Sequence, residues 1–276
     1  MASMTRDQSI AGGTAAIQAR FGANFPQTAI VLGSGLGRFA AALTGATSMP
    51  YGDIPGFSQS TVAGHAGNLI VGRAGEVPVA VMQGRIHAYE GHAPQAIAAP
   101  IRILCKLGVE RLVLTNAAGG LRLDMKPGTL MIIEDHINFS GFNPLIGPND
   151  DSIGPRFPDM TDAYDPGLRT LLLQAARKAG VAVKSGVYIF AMGPNFETAA
   201  EIRMYGKLGA DAVGMSTVPE CLAARHCGMK VAGVSIITNY ATGIANRPLT
   251  HGETLTEAER AAAKLEHLLH TFLQSI

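Results

Sequence analysis

Apolar and polar positions along this chain change period repeatedly, from the continuous apolar run of a buried strand to the three-to-four-residue recurrence of a helix. The runs Thr28 to Leu32, Asn68 to Gly72, Val77 to Met82, Arg111 to Thr115, Thr129 to Ile133, Val181 to Phe190, Asp211 to Met215 and Lys230 to Thr238 predict strands. Between them, residues 8 to 21, Pro94 to Leu107 and Ala199 to Leu208 read as helices, and a final helix covers about Glu253 to Ser275. Another starts at Asp165-Pro166, an N-cap followed by proline in the first turn, with Leu168, Leu171, Leu172 and Ala175 at helical spacing. Leu265, Leu268, Leu269, Phe272 and Leu273 give the last helix one apolar face to bury. Strands alternating with helices predict an α/β fold, a single-domain sandwich over residues 1–276 with a mixed central β-sheet flanked by helices. Residues 1–7 are expected to be a flexible N-terminus.

Polar clusters interrupt this pattern at 33–37, 83–92, 115–120, 193–197, 213–216 and 239, each just after a predicted strand. Open α/β sheets bind ligands at the carboxyl ends of their strands, so these clusters are expected to converge on one site. Residues 138–164, rich in Gly, Pro, Asn and Asp, show no period, and a loop that long is more often functional than connective. Glu197 precedes a helix, where a carboxylate is favoured, and Ser216 stands ahead of Pro219 at the start of another, where a hydroxyl and free backbone N–H groups make an anion site. Together they suggest a ligand with a polar heterocycle at one end and a phosphate at the other.

Composition narrows the partners. With 47% hydrophobic residues the chain can bury a large core, and a net charge of +1 leaves no electrostatic footprint for nucleic acid or an anionic membrane. No run reaches the roughly 18 apolar residues of a membrane span. Three cysteines, Cys105, Cys221 and Cys227, form no CxxC pair, which points to a reducing compartment; the protein reads as cytoplasmic, with small molecules or further subunits as partners.

Several motifs can be weighed against their chemistry. Gly33-Ser34-Gly35-Leu36-Gly37 follows a strand, but Arg38 stands where a dinucleotide-binding loop needs its third glycine; Ser34 between glycines remains able to hold a phosphate or simply to make a tight turn. Gly206-Lys207-Leu208 lacks the Ser or Thr of a P-loop. Arg85, His87 and Tyr89 alternate, so in an extended segment they share a face, with Arg85 a two-pronged donor for phosphate; a solvated polar loop is the plainer reading. His87 and His92 lack zinc-ligand spacing, and a hydrolase triad from Ser34 or Ser216 with His87 and Asp135 lacks the nucleophile elbow. Asn116 and Asn239 each follow a buried strand, and an amide that both donates and accepts can read a purine's N7 and O6, or merely cap a turn.

The blocks LGSGLG at 32–37, GHAG at 64–67, QGRIHAYEGH at 83–92, TNAAGGL at 115–121, NPLIGPND at 143–150, RFPDMTDAY at 156–164, GPNFETAAEIR at 193–203, DAVGMSTVPE at 211–220 and ITN at 237–239 closely resemble the trimeric purine nucleoside phosphorylases. The resemblance runs in order from about residue 20 to the C-terminus. It implies phosphorolysis of 6-oxopurine ribonucleosides and deoxyribonucleosides by inorganic phosphate, as co-substrate, without cofactor or metal, in a homotrimer. By the same resemblance, phosphate would be held by Ser34, His65, Arg85, His87, Asn116, Ala117 and Ser216. The base would lie among Ala118, Gly119, Phe196, Glu197, Val213, Gly214 and Asn239, with Glu197 on N1–H and Asn239 on N7 and O6. Tyr89, Met215 and His251 would line the ribose, with Phe157 from the adjacent subunit. Asn239, Glu197 and His87 are the implied catalytic groups. The chain departs from the mammalian pattern at Tyr240, over 241–250, where the spacing to His251 is shorter, and at Asn195. Acceptance of xanthosine stays open, and so does a sister activity on methylthioadenosine, against which Asn239 argues because that family usually carries Asp there. A purine-binding sensor without turnover would leave Arg85, His87 and Ser216 only an anchoring role.

Overall fold

Strand β1 (Thr28–Leu32) lies inside a nine-stranded sheet and is parallel to both β4 (Val77–Gln83) and β5 (Arg111–Gly120). The structure is a computed structural model and describes residues 6–61, 66–245 and 250–276. All of β1 is buried. Ala29 and Val31 belong to one core and Ile30 and Leu32 to the other, as the two-residue period of a strand requires. The first core is shared with α1 (Arg6–Phe21), α3 (Pro94–Lys106) and α6 (Val218–His226), the second with α2 (Arg38–Ala41), α4 (Pro166–Lys178) and α7 (His251–Leu273). Helices on both faces of a mixed sheet make the α/β sandwich expected from the alternating pattern. A small third cluster seats α5 (Ala199–Lys207) through Ile202 and Tyr205.

Across the sheet the order is β2 (Thr44–Pro50), β3 (Asn68–Ala74), β4, β1, β5, β8 (Ala212–Gly214), β7 (Val183–Phe190), β6 (Leu130–Asn138) and β9 (Lys230–Tyr240). β9 also pairs with β5, so the last five strands close on themselves like a small barrel. Strand β5 runs parallel to β1 and β9, whereas β8 is antiparallel to β5 and parallel to β7. Polar residues after β7 and β8 therefore approach from the opposite direction to those after β1, β4, β5 and β9. They meet because β8 pairs only with the last two residues of β5, Gly119 and Gly120.

The local signals hold where burial is complete. Asp165 caps α4 by accepting from the Leu168 N–H at 2.8 Å, and Leu168, Leu172 and Ala175 are buried against the apolar face of α7. Residues 139–165 contain neither helix nor strand, as composition suggested. Of the N-terminal segment, residues 1–5 lie outside the described residues, and α1 begins at Arg6. Two expectations need correction. Strand β2 was not anticipated, because none of its seven residues is buried and no apolar alternation marks it; it holds its place by pairing with β3 at the sheet edge. Strands β5 and β9 do not end before their asparagines but run on through Gly120 and Tyr240, because the two pair with each other along that whole stretch.

Candidate active site

One pocket collects residues from all six polar clusters: Ser34, Arg85, His87 and Tyr89, Asn116 to Gly119, Phe196 and Glu197, Val213 to Ser216, and Asn239. Each is delivered by a different physical device.

Ser34 follows the buried end of β1. Gly33 is obligatory there, since a Cβ would sit 2.9 Å from the Asn116 Cα and 3.0 Å from the Thr115 carbonyl oxygen. Its N–H donates to the Thr115 hydroxyl at 3.1 Å, which in turn donates to the Val31 carbonyl at 3.0 Å, so this turn is tied to β5. Arg85 leaves β4 almost wholly buried. Its Nε donates to Glu220 Oε1 at 2.8 Å and its Nη1 to the Thr115 carbonyl at 2.6 Å. Glu220, also buried, was not foreseen as part of the site; it rides on the first turn of α6 and balances a cation that burial alone would make costly. His87 has extended backbone and Tyr89 lies in a short 3₁₀ turn, yet their rings stack with centroids 4.8 Å apart. The turn is pinned by Glu90, whose carboxylate accepts from the His87 N–H at 2.7 Å and the Thr61 N–H at 2.7 Å. Burial raises that carboxyl, but the backbone and hydroxyl donors of Thr61 and His87 outweigh it and bring it down to about 2.

On the other wall, the β5–β9 ladder pairs Ala118 with Ile237 and then Gly119 with Asn239, leaving Thr238 as an extra residue. Such a bulge breaks strict alternation and can re-aim a side chain. Thr238 and Asn239 accordingly both line the pocket, although they are neighbours in a strand. The Thr238 hydroxyl donates to Asn239 Oδ1 at 2.9 Å, and Asn239 Nδ2 donates to the Tyr240 carbonyl at 3.1 Å, which fixes the amide plane. Gly119 is opposite: a Cβ there would meet Asn239 Nδ2 at 3.4 Å. Glu197 stands just before the N-cap of α5, where Thr198 and Glu201 form a reciprocal capping box. Burial pushes the Glu197 carboxyl above its ordinary range, only partly offset by its own backbone N–H, so desolvation dominates over the helix-terminus effect.

Ser216 enters from the turn between β8 and α6, where two of the backbone N–H groups have partners within the chain. The Ser216 N–H donates to the Tyr188 hydroxyl at 3.3 Å and the Val218 N–H to the Ser216 carbonyl at 2.8 Å. Both donors are therefore engaged. Thr217 between them has φ 73°, and its hydroxyl accepts from Asn116 Nδ2 at 2.8 Å while lying 3.1 Å from Ser216 Oγ. A left-handed conformation in a β-branched residue costs about 1–3 kcal/mol and persists only where surroundings enforce it.

Three expected site residues are not among the described side chains that line the pocket. His65 lies outside the described residues. His251 opens α7 but its side chain lies outside the described ones; Thr254 of the same helix lines the pocket. Phe157, on the long loop, is 87% exposed and away from the pocket lining. Thr217, Glu220, Thr238, Ala241 and Thr254 went unmarked, because neutral or helix-borne residues carry no signal until the fold apposes them. Among the described residues no cluster of three or more His, Cys, Asp and Glu is placed to hold a metal, and the three cysteines are free thiols.

Comparison with known proteins bears directly on this geometry. Residues 27–274 match the model of the phosphorylase superfamily. The chain is 52% identical over 238 residues to purine nucleoside phosphorylase 1 of Geobacillus stearothermophilus, covering 86% of this chain and 87% of that protein. It is 46% identical over 258 residues to the purine nucleoside phosphorylase of Rattus norvegicus, covering 91% and 89%. In shape it is similar to the purine nucleoside phosphorylase of Schistosoma mansoni in complex with inosine, with a TM-score of 0.93 at 37% identity, covering 100% of this chain and 99% of that one. Similar in sequence and in shape over nearly its whole length, the chain belongs to the phosphorylase superfamily and, within it, to the purine nucleoside phosphorylases.

Proposed function

We propose that the pocket binds a 6-oxopurine nucleoside between Glu197 and Asn239 on one side and inorganic phosphate at Ser34, Arg85, His87 and Ser216 on the other. The reaction is reversible phosphorolysis of inosine or guanosine, ribo or deoxyribo, to free base and sugar 1-phosphate. As the bond between C1′ and the purine N9 lengthens, the sugar acquires oxocarbenium character, and a phosphate oxygen beneath C1′ stabilises that charge before forming the new bond. Negative charge passes to the purine, where the Asn239 amide meets N7 and O6 and the Glu197 carboxylate accepts from N1–H. Interactions that strengthen as charge develops lower the barrier rather than merely tightening binding. A 6-aminopurine would oppose a lone pair at N1 to the Glu197 carboxylate, and mispaired buried groups typically cost about 1–3 kcal/mol each. His65, Asn116 and the Ala117 N–H complete the phosphate side; Ala118, Gly119, Phe196, Val213 and Gly214 wall the base; Tyr89, Met215 and His251 face the ribose.

The observation that carries this reading is that Glu197 and Asn239 line the same pocket as Ser34, Arg85 and Ser216. Inosine supplied with phosphate should release hypoxanthine at a rate that saturates in both substrates. Release undiminished after phosphate is removed would defeat the phosphorolytic reading.

The working unit is read as a homotrimer in which Phe157 of one subunit reaches the ribose of the next. Its support is the long loop of residues 139–165, which holds Phe139, Ile146 and Phe157 exposed at 45%, 65% and 87% of their surface. Large apolar side chains left to solvent on one loop suit an interaction surface. No cofactor or metal is assigned, and phosphate enters as co-substrate. Free thiols suit a reducing compartment, and no helix among the described residues is long and apolar enough to cross a membrane, so the cytoplasm is the inferred location.

A further inference from the structure

Thr217 is the sole non-glycine residue with positive φ among the described residues. With φ 73° and ψ −51°, and with the Val218 N–H donating to the Ser216 carbonyl at 2.8 Å, it is the central residue of a γ-turn of the rare, strained hand. Glycine would adopt this turn without strain, and elsewhere in the described chain glycine does occupy every such position. A β-branched residue here therefore implies a task for the side chain. The Thr217 hydroxyl, buried with 1% of the residue exposed, bridges two elements: it accepts from Asn116 Nδ2 of β5 at 2.8 Å and lies 3.1 Å from Ser216 Oγ.

The Asn116 end of this chain of bonds has one direction, whereas between Thr217 and Ser216 either hydroxyl can donate. Asn116 Nδ2 can only donate, so the Thr217 oxygen is an acceptor on that side and its own proton is available for Ser216 Oγ. With Thr217 donating, the Ser216 proton is left to point into the pocket. The Ser216 and Val218 N–H groups are engaged with the Tyr188 hydroxyl and the Ser216 carbonyl, which makes the Ser216 hydroxyl a donor that this turn can present to an anion.

We propose that Thr217 is a positioning residue for phosphate, its strained turn and hydroxyl directing the donor sequence Asn116 to Thr217 to Ser216 onto a phosphate oxygen. The proposal rests on the reading of this pocket as a phosphate site. It is tested with Thr217→Val, which keeps the branched shape and removes the hydroxyl, and Thr217→Ser, which keeps the hydroxyl. Two readouts are taken: KM for phosphate and for inosine, and the rise in thermal midpoint that inorganic phosphate alone produces. The expected result for Thr217→Val is a phosphate KM raised at least fivefold, an inosine KM within twofold of wild type and a diminished phosphate-induced rise, with Thr217→Ser restoring all three. Thr217→Ala serves as a second hydroxyl-free variant should the valine protein not fold. Hydroxyl-free variants with wild-type phosphate KM and phosphate response would overturn the proposal, as would a serine variant as impaired as the valine one. A wild-type protein indifferent to phosphate in both readouts would instead remove the phosphate site itself.

Discussion

Glu197 is a carboxylate that its surroundings make reluctant to ionise, whereas the proposed contact with a purine N1–H asks it to be ionised. Burial raises its pKa above the ordinary value of 4.5. A folded-state pKa raised above the unfolded one makes the group's contribution to stability greatest below the unfolded value and progressively lost as pH rises through the folded value. Glu197→Gln should therefore raise the thermal midpoint at neutral pH while lowering kcat/KM for inosine at least tenfold; a variant equally active, or less stable than wild type, would contradict this account. The same carboxyl should set an acid limb in the wild-type kcat/KM profile for inosine that lies above pH 4.5 and is absent from the Gln variant. Asn239 is the complementary case, an amide whose oxygen accepts from Thr238 and whose nitrogen donates to Tyr240, so that it offers both a donor and an acceptor to the proposed purine. Asn239→Asp replaces that choice with an acceptor, suited to a 6-amino group, so the ratio of adenosine to inosine turnover should rise at least tenfold.

At the scale of elements, the site depends on backbone approaching backbone. Gly33 lets the end of β1 pass within contact distance of β5, and a methyl group there would press on the main chain of Thr115 and Asn116 rather than on a side chain that can turn away. Gly33→Ala should destabilise by about 1–3 kcal/mol, the usual cost of overpacking, and raise the phosphate KM by displacing Ser34; calorimetry and steady-state kinetics read the two effects separately. The bulge at Thr238 acts at the same scale. Continuous runs such as Val31 and its neighbours, or the apolar stripe of α7, announce their elements because burial on a regular lattice imposes a period. An extra residue in a ladder, or an exposed edge strand such as β2, obeys no period and becomes visible only when the partner strand is in place.

For the whole molecule, the exposed aromatic side chains of the 139–165 loop carry the remaining prediction. The protein should elute as a trimer in size-exclusion chromatography with light scattering, and Phe157→Ala should raise the inosine KM at least fivefold while leaving the phosphate KM within twofold. A fully active monomer would exclude the shared site. What the sequence by itself determined was the class of fold and the polar cast of the pocket, because strand and helix periods are local and because Ser34, Arg85, His87, Glu197, Ser216 and Asn239 carry the hydroxyls, charges and amides proposed to meet the ligand. Only the tertiary structure decided that Glu220 balances Arg85, that Thr217 ties Ser216 to Asn116, and that a barrel-like closure of β5 on β9 aims Asn239. Those contacts join residues about a hundred positions apart, and no local pattern encodes which of many buried neutral or paired groups will meet once the strands close.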